Sequence, residues 1–433
     1  MLKVAFFLNN EDFNSNRDFS DILGGNPGIG GSEYMILLIS YLLTIRNNGI
    51  QVRLYTSKKG IFHSAMEVIA IGDMESAAQH ASKDGFERFV FDHKRISWYK
   101  NPFQGLSPKL KLIPWCHCFA FTRELHIMCK NPNLGRIVYV GKETNDLMRD
   151  DISFLKSDYI FNCVHLDERR ILQAKQSPNK NRSHIVVYMG SLVPLKTFHV
   201  LAEMWPRVLR RVPDAQLYVI GSGKVYGDKT KLGKYGIAEE SYEDVFMPYL
   251  TSDKKVFESV HFMGSLGEEK NDILLKAKVG VPNPTGRSET FCICAVEMQA
   301  MGCSVTAMEA PGYYDTIYNG IISHNRKQLE DNIVSLLLNN SPKEYEDILS
   351  YIKNNFSESQ IAMEWERLLS SNLDDYLHPI YPIANKRYRY KWFKECLRML
   401  KTTCPCMYKS KVSVESVLNK ISKNPDYKLT YHP

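Results

Sequence analysis

The sequence predicts an α/β fold with two doubly wound, Rossmann-like domains, each a mostly parallel sheet with helices on both faces, followed by a basic helical tail. Three observations predict this class. Short apolar runs alternate with helix-like stretches in the order of parallel βαβ units. Glycine-rich turns follow several of these runs. The length of 433 residues exceeds what one ordinary core supports, which favours two domains.

The first domain is predicted over residues 1–165. Its strands are predicted from apolar runs at Val4–Leu8, Gln51–Tyr55, Arg88–Phe91, Lys111–Pro114, Arg136–Val140 and Tyr159–Phe161. Between the first two runs, the glycine-rich loop 24–31 leads into an apolar helix that begins near Ser32. Bare amides at such a loop and helix N-terminus suit a phosphate or a sugar.

The second domain is predicted over residues 183–355, after a polar connection. Its strands are predicted at His184–Met189, Gln216–Ile220, Val260–Phe262, Val279–Pro282, Ser304–Ala307 and Gly320–Ser323. A helix is predicted over Phe198–Arg211. A last helix, over residues 356–372, is expected to cross back to the first domain.

The end of the chain, residues 384–433, differs in charge from the rest. It carries twelve Lys and Arg against three Asp and Glu, a net charge of +9, whereas the whole chain has +7. Within 384–411, basic residues interleave with Tyr388, Tyr390, Trp392, Phe393, Leu397 and Leu400. The pattern fits a helix on an anionic membrane surface, or a helix that caps a domain. Single-stranded nucleic acid bound by stacking is the least favoured interpretation, and no nucleic acid partner is expected.

The sequence shows no apolar run near the ~20 residues that span a bilayer. Its first residues, MLKVAFFLNN, lack the layout of a signal peptide. We therefore expect a cytoplasmic protein, held peripherally on the inner membrane face if the tail binds lipid.

The stretch 279–306 carries the strongest chemical pattern. A buried strand, a loop broken by Pro282, Pro284 and Gly286, and an apolar helix follow one another. Ser288 is predicted to cap the helix, which would place Glu289 and Glu297 near one helical face. The carboxyl ends of parallel strands bind ligands in open α/β sheets, and a helix N-terminus there suits a phosphate.

Further candidate residues follow other strands of the predicted sheets. Lys196 ends a loop that begins at Gly190, and a lysine there can neutralise a diphosphate. The turn Gly221-Ser222-Gly223 adds a second loop of close approach. His117 lies between two cysteines, but adjacent strand residues point to opposite faces, so a zinc site is not expected. No Asp-x-Asp occurs in the chain, so no metal is expected either.

Together these features resemble the retaining glycosyltransferases of the GT-B fold, family GT4. The resemblance covers residues 1–370. Its most specific parts are the Glu289-x7-Glu297 segment and the Gly-x-Leu-Val-Pro-x-Lys loop that ends at Lys196. In such enzymes two Rossmann-like domains face a cleft, and the donor nucleotide-sugar lies mostly against the second domain.

The resemblance implies a role for each matching residue. Catalytic roles fall to Glu289, which would contact the transferred sugar, to Lys196, which would meet the diphosphate, and to His117, which would touch the donor sugar. Glu297 would hold the ribose hydroxyls. The other implied donor-binding residues are Gly30, Gly31, Gly190, Ser191, Gly221, Gly223, Arg287, Thr290, Phe291 and Cys292.

The sequence departs from the family pattern in two places. Ser191 stands where the family usually has Arg, which removes one cationic diphosphate contact, and Arg287 is a candidate substitute. The family's Glu-Gly-Phe-Gly is Glu289-Thr290-Phe291-Cys292 here, so a differently shaped sugar pocket is expected.

The function implied is a metal-independent glycosyltransferase without a cofactor. It would move a sugar from a nucleoside-diphosphate-sugar to a glycan, lipid-linked or protein acceptor with retention of configuration. Two alternatives stay open: a nucleotide-sugar-binding protein without transfer activity, and a sugar-nucleotide epimerase of the same two-domain design. A dehydrogenase is disfavoured, because the loop 24–31 does not match the dinucleotide fingerprint.

Overall fold

A computed structural model describes residues 1–13, 17–94, 96, 102–120, 122–223, 231–339, 341–375, 377, 392–404, 413, 414 and 417. The chain divides into two compact units. Unit 1 comprises Met1–Gly24, Gly31–Asn162 and Ile361–Pro433, and unit 2 comprises Gly25–Gly30 and Cys163–Gln360. Each unit is built on its own parallel sheet.

The strands of the described residues alternate with helices along most of the chain. The strands are β1 (Leu2–Leu8), β2 (Asp18–Phe19), β3 (Ile50–Thr56), β4 (Ile61–Phe62), β5 (Glu67–Ala70), β6 (Arg88–Asp92), β7 (Lys111–Cys116), β8 (Ile137–Tyr139), β9 (Ser157–Tyr159), β10 (Ser183–Met189), β11 (Gln216–Ile220), β12 (Thr251–Ser252), β13 (Lys255–Val256), β14 (Val260–Gly264), β15 (Ala277–Gly280), β16 (Ser304–Met308) and β17 (Gly320–Ser323).

The helices occupy the connections between these strands and the end of the chain. They are α1 (Gly31–Arg46), α2 (Met74–Lys83), α3 (Thr122–Cys129), α4 (Lys142–Asp146), α5 (Glu168–Gln176), α6 (Phe198–Arg211), α7 (Glu240–Phe246), α8 (Lys270–Leu274), α9 (Ile293–Ala300), α10 (Pro311–Thr316), α11 (Arg326–Leu338), α12 (Tyr345–Phe356), α13 (Glu358–Ser370) and α14 (Trp392–Thr403). None of these helices, which cover only the described residues, is long and apolar enough to cross a bilayer.

The sheet of unit 1 has the strand order β5-β3-β1-β6-β7-β8-β9, and its pairs are parallel. The first strand, β1, lies inside the sheet, with β3 on one side and β6 on the other. The direction of winding therefore reverses between β1 and β6. In an open α/β sheet, the crevice outside the carboxyl ends at such a switch point is the usual ligand site.

The sheet of unit 2 has the order β14-β11-β10-β15-β16-β17, again with parallel pairs. Its first strand, β10, lies between β11 and β15, so its switch point falls between β10 and β15. The order and the parallel pairing confirm the doubly wound α/β class that the sequence predicts for both halves.

Apolar residues of the helices fill the space on the sheet faces. In unit 2, Phe198 of α6 packs against Tyr188 of β10, with ring centroids 4.9 Å apart. In unit 1, Trp365 of α13 is fully buried and lies with its ring centroid 4.6 Å from that of Trp115 in β7. Trp365 thus fastens the last part of the chain to the sheet of unit 1.

The helix predicted over residues 356–372 corresponds to α13, Glu358–Ser370, and Phe356 is the last residue of the helix before it. Helix α12 ends at Phe356, and α13 begins at Glu358 after the extended residue Ser357. The main chain of Val164 bonds to this junction, since its amide donates to the carbonyl of Phe356 at 2.9 Å. This long-range contact explains the break, which the local sequence does not signal.

The described residues of the basic tail are α14 and residues 404, 413, 414 and 417, while residues 384–391 and 405–411 of the predicted membrane-binding segment lie outside the described residues. Two basic side chains of α14 are buried against Asp150 of unit 1. The Lys401 Nζ lies 3.0 Å from the Asp150 Oδ2, and the Arg398 Nε lies 3.6 Å from the Oδ1. These ion pairs with Asp150 stabilise unit 1. On the same helix, Met399 and Leu400 are 47% and 65% exposed.

Candidate active site

Two loops flank the switch point of unit 2, one after β10 and one after β15. The loop after β10 runs from Gly190 to a short 3-10 helix, Pro194–Lys196, which Pro194 starts and Thr197 ends. Thr197 has the left-handed backbone angle φ of 49°, which reverses the chain just before α6. The turn therefore holds Lys196 at the carboxyl edge of the sheet.

The structure brings Lys196 and Glu289 together across this switch point. The Lys196 Nζ is in contact with the Glu289 Oε1. The Glu289 side chain is 6% exposed and the Lys196 side chain 26% exposed. A buried carboxylate needs such a partner, because an isolated buried charge is strongly unfavourable.

The predicted helix start near Ser288 is wrong. Helix α9 begins at Ile293, with Cys292 as its N-cap, and Ser288 has a left-handed φ of 62°. Glu289 therefore lies in the loop before the helix, while Glu297 lies within it. The two acids do not share a helical face, and each has a lysine partner of its own.

The lysine partner of Glu297 is Lys270, at the start of α8. The Lys270 Nζ lies 2.8 Å from the Glu297 Oε1, and both side chains are largely buried. The charge of Glu297 raises the pKa of Lys270 above its usual value, although burial opposes this. Lys270 is therefore a cation at neutral pH.

The glycines at 190, 221 and 223 let three backbone segments approach closely. A Cβ added to Gly221 would lie 1.9 Å from the carbonyl oxygen of Gly190, and one added to Gly223 would lie 2.7 Å from the Cα of Ala238. The Gly190 amide donates to the carbonyl of Ile220 at 3.0 Å. Packing alone accounts for glycine at 221 and 223, so their predicted contact with a donor stays a prediction.

The segment from Thr290 to Cys292 is buried beside α10. The amide of Gly312 donates to the carbonyl of Glu289 at 3.2 Å, and a Cβ on Gly312 would lie 2.7 Å from the amide nitrogen of Phe291. Burial raises the pKa of the Cys292 thiol, and the charge of Glu289 adds to this effect. The thiol is therefore protonated at neutral pH and is not a nucleophile.

Ser191 and Arg287 are both held through their main chains. Ser191 departs from the family pattern at the predicted diphosphate site, and Arg287 is the candidate substitute for the missing cation. The carbonyl of Ser191 accepts a hydrogen bond from the Tyr188 hydroxyl at 3.1 Å. The half-buried Arg287 has its carbonyl bound by the Asn283 side-chain amide at 2.8 Å. Their predicted roles toward a diphosphate stay predictions.

At the carboxyl edge of unit 1, His117 follows β7 and is 7% exposed. Its Nδ1 lies 3.8 Å from the Oδ2 of Asp92, the last residue of β6. Burial lowers the pKa of His117 to about 3, and the charge of Lys94 adds to this. His117 is therefore neutral at physiological pH, which suits a hydrogen-bonding role.

Asp92 also contacts Lys94, whose side chain forms a hydrogen bond with Ser32 near the start of α1. The Lys94 Nζ lies 3.5 Å from the Asp92 Oδ2 and donates to the Ser32 Oγ at 2.9 Å. Burial opposes ionisation of Asp92, but Lys94 and His93 outweigh it and hold the pKa of this carboxyl well below its usual range.

The glycine-rich loop 24–31 does not directly follow the first strand. Strand β2 lies between β1 and the loop, Gly31 is the first residue of α1, and Gly25–Gly30 belong to unit 2. The carboxamide oxygen of Asn26 accepts from the amides of Gly28 and Ile29, each at 2.9 Å, which shapes the turn. Donor contacts of Gly30 and Gly31 stay predictions.

Within the described ranges, no group of three or more His, Cys, Asp and Glu side chains is placed to hold a metal ion.

The residues predicted from the sequence do not include Asp92, Lys94, Lys270, Asn283 or Thr197 of these two edges. Asp92 is the last residue of an apolar strand, and the rule that ligands bind at carboxyl ends would have identified it. Asn283 stands between two prolines and has the appearance of a turn residue. Nothing in the local sequence marks Lys270 or Thr197.

The sheets and edges described above define a two-domain, doubly wound α/β protein with a lysine–glutamate site in its second unit. Residues 183–339 match a family model described as "Glycosyl transferases group 1". Over 169 residues the chain is 25% identical to a phosphatidyl-myo-inositol mannosyltransferase of Propionibacterium freudenreichii subsp. shermanii. This match is 38% of this chain and 36% of the relative, so it spans little more than a third of that relative's length.

Solved structures are similar over most of the chain. Anabaena Alr3699/HepE in complex with UDP has a TM-score of 0.56 at 13% identity, covering 85% of this chain and 99% of that one. A glycosyltransferase from Rickettsia africae gives 0.56 at 12% identity, covering 86% and 99%. The lipopolysaccharide outer core galactosyltransferase WaaB gives 0.58 at 12% identity, covering 85% and 99%. The protein therefore has the GT-B fold, and the predicted fold class is confirmed.

Proposed function

We propose that this protein is a glycosyltransferase that moves a sugar from a nucleoside-diphosphate-sugar to an acceptor, without a metal and with retention of configuration. The observation that carries the proposal is the contact between Lys196 and Glu289 at the switch point of unit 2. The match of residues 183–339 to glycosyl transferases group 1 supports it. So do the mannosyltransferase relative and the UDP bound by the Anabaena protein.

Lys196 supplies the positive charge that the leaving diphosphate needs. Its contact with Glu289 holds a cation at the ligand-binding edge of the sheet, with the lysine side chain only partly buried. A charge-assisted contact of this kind contributes about 1.5–3 kcal/mol. Helix α9 begins beside Glu289, and its N-cap Cys292 makes no side-chain hydrogen bond to the first amides. Those amides add partial positive charge for the diphosphate.

Glu289 orients the transferred sugar. When the diphosphate draws Lys196 toward itself, a sugar hydroxyl takes the place of Lys196 as a donor to the buried carboxylate. Glu297 holds the ribose in the same way, with Lys270 keeping its charge balanced. The side chains of Thr290 and Cys292 give this sugar pocket a shape that glycines would not.

Retention follows, in this proposal, from front-side attack assisted by the leaving phosphate. In the proposed mechanism the acceptor proton passes to an oxygen of the leaving diphosphate. His117 hydrogen-bonds the donor sugar as a neutral ring.

The acceptor is a glycan or a lipid-linked glycan, and the enzyme works at the cytoplasmic face of an anionic membrane. The basic tail and the exposed Met399 and Leu400 of α14 support this part of the proposal. Arg398 and Lys401 do not contribute to lipid binding, because Asp150 holds them.

Thermal-shift screening against UDP-, GDP- and other nucleotide-sugars tests donor binding, since a ligand that binds the folded state raises the melting temperature. Incubation of the stabilising donor with lipid-linked and free glycans, with the anomeric configuration of the product determined, then tests transfer and retention. Binding without transfer or hydrolysis would assign a nucleotide-sugar-binding protein. A changed sugar without any acceptor would assign an epimerase.

A further inference from the structure

Asn283 connects the two loops that carry Lys196 and Glu289. It lies in the loop after β15 and is 3% exposed. Its Oδ1 accepts a hydrogen bond from the Thr197 Oγ1 at 2.7 Å. Its Nδ2 donates to the Glu289 Oε1 at 3.2 Å and to the carbonyl of Arg287 at 2.8 Å. One carboxamide group thus joins the residue after Lys196 to the carboxylate of Glu289.

The main chain of Asn283 is fixed as well. The hydroxyl of the fully buried Tyr313 donates to the carbonyl of Asn283 at 2.6 Å, and the amide of Gly286 donates to it at 3.1 Å. On the other side, the Thr197 Oγ1 lies 3.1 Å from the Thr285 Oγ1. With both ends held, the carboxamide has one orientation, in which its oxygen faces Thr197 and its nitrogen faces Glu289.

This position requires a group that both accepts and donates. A carboxamide offers an acceptor to Thr197 and N–H donors to Glu289, whereas an ionised carboxylate only accepts. Among the described residues, the charged side chain in contact with Glu289 is that of Lys196. The neighbouring Cys292 and Tyr313 stay neutral, because burial raises the pKa of each.

We propose that Asn283 is a positioning residue that keeps Glu289 oriented and hydrogen-bonded while Lys196 moves from Glu289 to a diphosphate. The proposal deepens the function proposed above and rests on it. Glu289 is buried, so the loss of Lys196 without a second partner would leave its charge unsatisfied. The Nδ2 of Asn283 is that second partner. The bond from Thr197 to Asn283 couples the position of the lysine loop to the direction of the carboxylate.

The test compares Asn283→Asp with Asn283→Ala across pH. The Asp variant keeps the acceptor for Thr197 but presents a carboxylate to Glu289, and two adjacent carboxylates raise the pKa of one of them. At about pH 8 we expect kcat of the Asp variant to fall about 10- to 100-fold. At about pH 5.5 the shared proton restores a donor, and kcat should return to within about threefold of wild type at that pH. The Ala variant should lose activity without recovery on acidification.

A second readout does not depend on turnover. In Asn283→Asp the pKa of one of the two facing carboxyl groups is raised in the folded protein, so the folded protein is more stable when that group is protonated. The melting temperature of the variant should therefore approach that of wild type as pH falls and diverge from it as pH rises. In the double variant Asn283→Asp/Glu289→Gln, the introduced glutamine amide can donate to the introduced carboxylate, and this divergence should vanish.

Wild-type kcat in Asn283→Asp at every pH, or a loss that acidification does not relieve, would overturn the positioning role. If wild-type protein transfers no sugar from any donor, the proposed function fails on its own. The melting temperatures then still decide the link between Asn283 and Glu289: a pH-independent difference refutes it, and a divergence that the double variant removes supports it.

Discussion

In unit 1 the lysine and the carboxylate at the switch point come from one strand and the loop that follows it, whereas in unit 2 they come from two separate loops. Asp92 ends β6, and Lys94 follows it by two residues. Lys196 follows β10 and Glu289 follows β15, so their contact spans the switch point. The same sheet architecture therefore supports a local ion pair in one unit and a bridging ion pair in the other.

The difference between a local and a bridging ion pair determines how a ligand would affect the ion pair at each carboxyl edge. In unit 1, Lys94 pairs with Asp92, and His117 is neutral because burial and the charge of Lys94 lower its pKa against the effect of Asp92. In unit 2, Lys196 and Glu289 contact each other across the switch point. In the proposed function, the donor separates this pair and meets a cation and a hydrogen-bond acceptor.

The largest effect is expected from Glu289→Gln, which breaks the bridging pair but keeps the side-chain shape. We expect kcat to fall about 10²- to 10³-fold, in the range seen when one group that stabilises a transition state is removed. The matched control is Glu309→Gln. Glu309 is also a mostly buried carboxylate at this edge, but its partners are His324, at 3.0 Å, and the Tyr314 hydroxyl, at 3.2 Å. Steady-state kinetics measure both, and equal losses would contradict the special role of the bridging pair.

The next largest effect is expected on the stability of unit 1, without a change at the site of unit 2. Lys401→Ala removes a buried partner of Asp150, and we expect the free energy of unfolding to fall by about 3–5 kcal/mol. The control Lys353→Ala removes an exposed pair with Glu168 and should change it by no more than about 1 kcal/mol. Urea unfolding measures both. At a temperature where Lys401→Ala is folded, its donor affinity should equal that of wild type, and a loss would show that the units are coupled.

A smaller effect concerns the neutral His117. Its pKa is about 3 in the folded protein and about 6.5 when unfolded, so between these values the unfolded state binds more protons. Acidification from about pH 6.5 therefore destabilises the protein by up to about 1.4 kcal/mol per pH unit through this group. His117→Gln should remove that contribution. Urea unfolding at several pH values measures the difference between the two proteins, and parallel curves would contradict a buried neutral histidine.

The smallest effect on the folded protein is expected from Met399→Ser/Leu400→Ser on the outer side of α14. Since both side chains are exposed, the free energy of unfolding should change by about 0.5 kcal/mol or less for each. Flotation with anionic liposomes should decrease if these residues contact lipid. The control Met363→Ser changes another exposed methionine, on α13. Undiminished flotation would remove α14 from the membrane contact.

The strands and the long helices could be predicted from the sequence because their signal is local. The limits of α6, Phe198–Arg211, and of β11, Gln216–Ile220, agree with the predicted ones residue for residue. Each has an apolar pattern of the right period and a clear stop.

The site could be predicted in part, since the sequence pattern indicates Lys196 and Glu289, and these two residues lie together. The position of Glu289 in the loop before α9 could not be predicted, because the amide of Gly312 in a later helix, α10, donates a hydrogen bond to the carbonyl of Glu289 and holds this loop. Ser288 is a good N-cap residue by type, and only the tertiary bonds of this loop decide against it. The contacts of Arg398 and Lys401 could not be predicted for the same reason, since their partner Asp150 is far away in the sequence.

The burial of Asp150 also joins residues that are far apart in the order of synthesis. Asp150 is synthesised well before Lys401 and Val414, whose amide donates to its Oδ2 at 2.7 Å. All but a few residues of unit 2 lie between, in Cys163–Gln360. A growing chain can thus complete the second sheet while the first still lacks its counter-charges. Unit 1 begins to be synthesised before unit 2, but its contacts at Asp150 can form only after Lys401 and Val414 have been made.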